Sequence, residues 1–451
     1  MQHRVRALSA RRGITAGSAM GAVALLATCF ATPAATAATS AQPSKSASAS
    51  LTASSAPGVT PTEIKIGSIS TLTGAIAADF DAFSPGMQAY FDMINAKGGV
   101  DGRKLVLAYA LDDGGNPTTF TQLAHTVIQQ DHAFAVGTST NWFSPNLFDE
   151  TKTPTYGYNV SGNWAGPLNL FAAGGSIQNY VVGADADAYL IKHTNSKSVA
   201  IISYGPAITA SYASCHTVGQ VLSKAGINVS YDDLDAPLAG SYTSAVQKMQ
   251  QAGSDFIMSC MQASDDITLA RTIQQYGLKV HQLWFDGYDN SVLAQYKSLM
   301  QGVYMDVNGT VPFGAVKAFP GKYPGVEQYL ATMQKYEPKF VYSQEALQGY
   351  ESAALLAAGI KAAGSDLTQQ NVINQTNKLA NFTAGGVSDV QNWTLAHTTQ
   401  GYPSCASFVQ VKGSQFVPVL GKGSQVFLCF PKKVNLKNPV PAANPPGTPG
   451  G

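Results

Sequence analysis

The hydrophobic positions between residues 64 and 113 switch from strand spacing to helix spacing and back. Ile64, Ile66 and Ile69 around Gly67 form a short apolar segment of strand type, which passes into the polar, glycine-containing turn Ser70–Gly74. Met87, Tyr90, Phe91 and Ile94 then fall on one helical face. Ser84 is placed to cap the free N–H groups, Pro85 suits the first helical position, and Gly98 and Gly99 end the helix. A second apolar run, Leu105–Leu111, stops at Asp112, Asp113 and Gly114. This spacing predicts a βαβ unit whose first polar loop lies at the sheet edge where open α/β folds place ligands. Asp112 and Asp113 read as a solvated or helix-facing loop, because acidic residues are mostly exposed.

The alternation continues downstream. Asn116 and Pro117 start a helix carrying Phe120, Leu123, Ala124, Val127 and Ile128, and Ala133–Val136 returns as a strand. In the loop that follows, Gly137 relaxes the backbone, while Ser139 and Thr140 offer hydroxyls or exposed N–H groups to a small polar ligand; a hydroxyl-rich helix cap leading into Ser144–Pro145 is the alternative. Pro154–Val160 supplies another short strand and leads to Ser161, Gly162, Asn163 and Trp164. A helix over Ile177–His193 carries the chain towards a second lobe, where Val199–Ser203 starts a fresh repeat. Its markers are Ala213–Lys224, Ile227–Val229, Ser241–Gln251 and Asp255–Ser259, and the recurrence favours two α/β lobes over one enlarged sheet. Tyr204 and Tyr212, near the first strand and helix of that lobe, can enclose an apolar ligand portion or simply pack. The helices over Val326–Met333 and the Ala/Leu-rich Glu345–Ala358 read as supporting elements. Phe408–Val411, Phe416–Leu420 and Val426–Phe430 read as terminal strands.

Length and charge narrow the class. A chain of 451 residues with 45% hydrophobic content suits two α/β domains. Arg4, Arg6, Arg11 and Arg12 give the first 28 residues a charge of +4, so the remainder carries −3, which argues against a nucleic-acid partner. That basic segment precedes the small, apolar run Ile14–Thr28 and resembles a secretory signal. Cleavage is placed near Ala31–Ala38, or before Cys29 if Leu26–Cys29 acts as a lipoprotein box, in which case Cys29 bears a lipid anchor. The Ser/Ala/Thr/Pro-rich stretch 39–61 reads as a flexible linker, and no later segment has transmembrane length and composition. No P-loop, nucleophile elbow or metal-ligand pattern is present, and Cys215–His216 is a lone neighbouring pair; the chain reads as a non-enzyme without cofactor or metal.

The turn Thr71–Gly74 (TLTG), the segment Ile94–Leu105 (INAKGGVDGRKL) and the pair Asp112–Asp113 together resemble the amino-terminal unit of the extracytoplasmic branched-chain amino-acid-binding proteins, the leucine/isoleucine/valine-binding type of ABC-transporter receptor. The resemblance covers about residues 62–433. It implies a type I periplasmic-binding-protein-like α/β fold of two Rossmann-like lobes joined by three hinge crossings. The lobes are assigned as 62–185 with 312–388 and 186–311 with 389–433, after a signal peptide (1–38) and before a tail (434–451). Gly302–Val307 and Gly385–Val390 serve as later crossings.

By the same resemblance, Ser139, Thr140, Ser161 and Gly162 line the first-lobe side of a cleft and hold the carboxylate side of an amino-acid-like ligand. Tyr204, Tyr212, Met261, Gln262, Asp286 and Tyr288 line the second-lobe side. Asp286 stands where an acidic amine anchor is implied, with a turn acceptor as its other reading, and Tyr288 covers a side chain. Cys215–Cys260 and Cys405–Cys429 are expected to pair because each couple belongs to a local second-lobe region; unpaired buried cysteines are the alternative. The implied function is an extracytoplasmic receptor that closes around a small polar or amphipathic solute, such as an amino acid. It then presents the solute to the permease and ATPase subunits of an ABC importer. An extracellular sensor sharing the cleft and a structural adhesin using the exterior remain open.

Overall fold

The expected βαβ start is present in the computed structural model, which describes residues 56–160, 162–176, 180–307, 309–398 and 405–429. Cys29, Ser161 and the tail from Asn435 lie outside the described residues. In chain order the first lobe opens with β1 (Glu63–Ser70), α1 (Phe83–Asn95), β2 (Lys104–Asp112), α2 (Pro117–His125), β3 (Ala135–Ser139), α3 (Asn146–Thr151), β4 (Thr155–Tyr158) and β5 (Leu170–Ala173). These strands form one parallel sheet in the order β2-β1-β3-β4-β5. Residues 56–61, expected at the end of a flexible linker, fold back on β1: Val59 bridges Ile64, and the Thr60 carbonyl accepts from Arg103 Nε at 3.0 Å.

The second lobe runs through α4 (Tyr180–His193), β6 (Ser198–Tyr204), α5 (Thr209–Lys224), β7 (Asn228–Ala236), α6 (Thr243–Gln251), β8 (Phe256–Ser259), α7 (Ala263–Gln275), β9 (His281–Trp284), α8 (Asn290–Tyr296) and β10 (Tyr304–Asp306). The chain then adds α9 (Ala315–Ala318), α10 (Pro324–Tyr336), α11 (Gln344–Ala363) and α12 (Gln369–Thr376), of which α11 packs on α1 and β4. It returns to finish the second sheet with β11 (Cys405–Lys412), β12 (Gln415–Val419) and β13 (Phe427–Cys429). That sheet has the order β12-β11-β10-β9-β8-β6-β7, with β13 also on β11, and the pairs made by β11 are antiparallel. The chain thus passes between the sheets after β5, after β10 and before β11. The second and third returns touch, since Thr310 bridges Ser388 and Val311 N donates to Val387 O. Beyond Gly385–Val390, Trp393 and His397 pack on Phe171 of β5.

Local packing decides several residues whose role the spacing alone misreads. Ser84 does not cap α1; Ala82 holds that place, and the buried Ser84 hydroxyl instead pairs with Ser68 Oγ of β1 at 2.8 Å. Gly137 sits within β3, not in a loop, and a Cβ there would lie 2.3 Å from Met87 Sδ, so the glycine serves the seating of α1 on the sheet. Where α1 crosses α11, Gly86 and Gly349 face the opposite backbones. A Cβ at either would stand 1.9 Å from a carbonyl oxygen, of Ala346 or Phe83 respectively. The pairs Cys215–Cys260 and Cys405–Cys429 are disulfide-bonded, the first joining α5 to the end of β8 and the second β11 to β13.

Candidate functional site

The carboxyl ends of the strands in both sheets open onto a cavity of about 340 Å³. From the first lobe its wall takes Asp79 and Phe80, which follow β1, and Tyr158 and Asn159 at the end of β4. From α11 come Glu345, Gln348 and Glu351, and from the paired crossings Thr310, Ser388 and Asp389. The second lobe adds Tyr204, Ile208, Met261, Gln262, Phe285 and Asp286.

The loops that shape this wall are held by the two acids at the end of β2. Asp112 Oδ1 accepts from the N–H groups of Leu72, Thr73 and Gly114, and Oδ2 accepts from the Thr73 hydroxyl at 2.6 Å. Partial burial alone would raise its pKa, but these hydrogen bonds win and hold it below the ordinary aspartate value. Asp113 is buried and accepts from Thr71 Oγ1, Thr140 Oγ1 and Gly115 N. Asp112, half-buried, ties the TLTG turn to the end of β2, and the buried Asp113 ties the same turn to Thr140, just after β3.

The residues singled out from the sequence divide into two groups. Tyr204, Met261, Gln262 and Asp286 line the cavity together. Tyr204 donates its hydroxyl to Asp265 Oδ2 at 2.5 Å and accepts from Gln262 N at 3.1 Å, which fixes its ring against α7. Asp286 accepts from Ala263 N (2.9 Å) and Gly287 N (2.6 Å), so it is a turn acceptor and a wall residue at once. The other group does not line the cavity. Thr140 gives its hydroxyl to Asp113 at 2.5 Å, and Ser139 is fully buried at the end of β3, neither reaching the wall. Gly162 opens an exposed turn, where Trp164 stacks on Phe143 at 4.2 Å and Asn163 donates to the Phe143 carbonyl. Tyr212 stacks on His216 along α5. Tyr288 lies in the core between Phe313 and Phe416, its hydroxyl accepting from Phe313 N at 2.7 Å.

Sequence reasoning missed most of the acidic lining. Six carboxyl residues, Asp79, Asp286, Asp306, Glu345, Glu351 and Asp389, border the cavity, and no Lys, Arg or His does so among the described residues. Burial first, then repulsion from Asp286, drives the Asp79 pKa well above the ordinary value, and a hydrogen bond joins the two carboxyls. Burial and the charges of Asp286 and Asp289 likewise raise Glu345, although Ser343 Oγ donates to it at 2.7 Å. Burial pushes Glu351 up to about 8 and Asp389 to about 6, each partly opposed by a neighbour, the Ser388 hydroxyl and the Val390 N–H respectively. The signal that could have found α11 is the three-residue recurrence of Glu345, Gln348 and Glu351 in an otherwise Ala/Leu-rich helix buried on nearly every face.

A two-lobed α/β protein with a polar cavity at the strand ends, and three chain passages between the lobes, is built to hold a small solute. The chain belongs to the periplasmic binding protein family, whose match spans residues 63–415. It is 26% identical over 317 residues to the Leu/Ile/Val-binding protein homolog 3 of Brucella melitensis, covering 67% of this chain and 80% of that protein. Among solved structures it is similar to a fatty acid ABC transporter substrate-binding protein from Thermomonospora curvata, with a TM-score of 0.69 at 17% identity, covering 86% of this chain and 97% of that one. It is also similar to a branched-chain amino acid ABC transporter protein from Thermus thermophilus with bound valine, with a TM-score of 0.65 at 17% identity, covering 79% and 95% respectively. Membership of this family makes the chain an extracytoplasmic, non-catalytic solute-binding receptor. Among the described residues no helix is long and apolar enough to cross a membrane.

Proposed function

We propose that this receptor captures an amine-bearing small solute and presents it to the permease and ATPase subunits of an ABC importer. The observation that carries the reading is the set of facing carboxyls: Asp286 of the second lobe meets Asp79 of the first, with Glu345 close by, on a wall without a described basic residue. An ammonium group has three donors and a positive charge, and it satisfies such a cluster through charge-assisted hydrogen bonds. The backbone N–H bonds from Ala263 and Gly287 hold Asp286 in position to receive it. Because the cluster draws on both lobes, closure completes it. Two of the names agree with an amine on the cargo, a Leu/Ile/Val-binding protein homolog and a structure that carries valine, whereas the fatty acid ABC transporter substrate-binding protein does not.

Mass spectrometry of the solute released from gently purified protein tests this directly, and an amine is expected on the released molecule. In parallel, Asp286→Asn and Asp79→Asn each weaken that solute by about tenfold to a hundredfold, the worth of one hydrogen bond to a charged group. A close neutral analogue loses little. Asp79→Asn is the safer variant, since Asp286 also serves two backbone donors. Cargo without an amine, or variants that leave the ratio of amine to neutral affinity unchanged, removes the proposal.

A further inference from the structure

The Asp79–Asp286–Glu345 cluster accounts for one amine but leaves a second group of polar atoms on the same wall without an occupant. Glu351, Gln348 and Ser388 line the cavity and are only 3%, 5% and 3% exposed; the Ser388 hydroxyl stands beside the Glu351 carboxyl, while Glu351 Oε1 and Gln348 Oε1 have no hydrogen-bond partner. A buried polar atom left unsatisfied is unfavourable by about 1–3 kcal/mol, so the two oxygens call for a partner. Gln348 Oε1 is always an acceptor and Glu351 is acceptor-only once its carboxyl is ionised, so a ligand donor answers both, and Asp389 borders the cavity beside Ser388. Metal does not fit this set: among the described residues no three His, Cys, Asp or Glu side chains are arranged to hold an ion.

Position on α11 sets the distance between the two groups. Glu345 and Glu351 are six residues apart, roughly 9 Å along a helix axis. The other lining residues include Phe80, Ile208, Met261, Phe285 and Val390, an apolar surface suited to methylene groups. A ligand carboxylate, by contrast, meets no Lys, Arg or His among the described lining residues. We propose that the solute carries two basic nitrogen centres joined by an aliphatic spacer, one seated among Asp79, Asp286 and Glu345 and the other at Gln348, Glu351 and Asp389. The inference rests on the amine reading above and adds the second centre.

A basic centre beside Glu351 also has to ionise it, because burial holds that carboxyl protonated until about pH 8. Binding therefore expels a proton, and the second centre expels more than the first alone.

The test is calorimetric titration of the full protein, freed of cargo by unfolding and refolding, at neutral pH. The probes are the α,ω-diamines of butane, pentane and hexane, the matching n-alkylamines, and leucine. At least one diamine is expected to bind about tenfold or more tightly than its own monoamine, and to release more protons when buffers of different ionisation enthalpy are compared. Glu351→Gln, checked for folding by its melting transition, lowers diamine affinity more than monoamine affinity and so shrinks that preference. If every diamine only matches its monoamine, or leucine binds more tightly than all three, the second centre is wrong and the single-amine reading stands. If refolded, cooperatively melting protein binds none of the amines and its native cargo lacks nitrogen, both readings fall. The comparison of diamine with monoamine on the unaltered chain needs no variant to fold.

Discussion

Asp113 is 1% exposed and accepts hydrogen bonds from two threonine hydroxyls, Thr71 and Thr140, and from the N–H of Gly115. Both threonines belong to loops at the sheet edge, the first of which is also held by the Asp112 carboxylate at Leu72 and Thr73. Asp113→Asn replaces one acceptor oxygen with a donor facing those hydroxyls, and the expected loss of stability is about 1–3 kcal/mol, read from denaturant unfolding. Thr140→Val has a smaller effect, since it removes one donor and leaves Asp113 two others. The same accounting explains why hydroxyl content misleads at this site. Ser139 and Thr140 look like ligand donors in a linear chain, and only the fold shows that an acid 27 residues away claims the Thr140 hydroxyl.

Helix α11 carries three cavity side chains, so its seating on α1 sets the position of one wall. That seating depends on two glycines, Gly86 and Gly349, each pressed against the other helix's backbone. Gly349→Ala places a methyl group 1.9 Å from the Phe83 carbonyl oxygen, and the helices must part to admit it. The gain in helix propensity, about 1 kcal/mol, does not offset overpacking of about 1–3 kcal/mol or more against rigid backbone. A lower melting temperature together with weaker solute binding is expected, and an unchanged melting temperature would contradict the crossing described here. Much of the fold was legible because local periodicity reports burial: β1, α1 and β2 fall where Ile64, Met87 and Leu105 place them, and both cysteine pairings follow from proximity along the second lobe. The site was less legible. Asp286 was visible at a strand end, but Asp79 sits in a short turn without a periodic signal, and Glu345, Gln348 and Glu351 are some 270 residues from their partner loop. A run rich in Ala and Leu reads as packing, and nothing in spacing says that its few polar residues face a cavity. Tyr288 errs the other way, an aromatic at a strand end that the core takes for itself.

Taken over the whole molecule, buried carboxyls give the ligand-free receptor a pH dependence with a definite sign. Burial raises Asp185 to about 7 and Glu351 to about 8, whereas it lowers His397 to about 4. Unfolding lets both acids ionise near their ordinary values, so their stabilising contribution is whole at low pH and is lost as pH rises through 7 and 8. His397 acts in the opposite sense, losing stability as pH falls from 6.5 towards 4, and it is silent above 6.5. Between about pH 6.5 and 8 His397 is silent, and Asp185 and Glu351 act in the same direction as the other buried acids with raised pKa, Asp79 and Glu345 among them, so stability should fall as pH rises, visible as a declining melting temperature. A rising melting temperature over that window would show that the acids are ionised in the folded chain. The pairing of Asp79 with Asp286 has a consequence for transport itself. In the importer proposed above, ATP is wasted whenever the receptor docks in the loaded shape while empty. These two side chains arrive from opposite lobes with the same charge, so an empty receptor that adopts the loaded shape must first find a proton for the pair. Protons are scarce in neutral or alkaline surroundings, and vacancy is then reported faithfully to the membrane; in acid surroundings the distinction blurs, and idle turnover of the transporter rises.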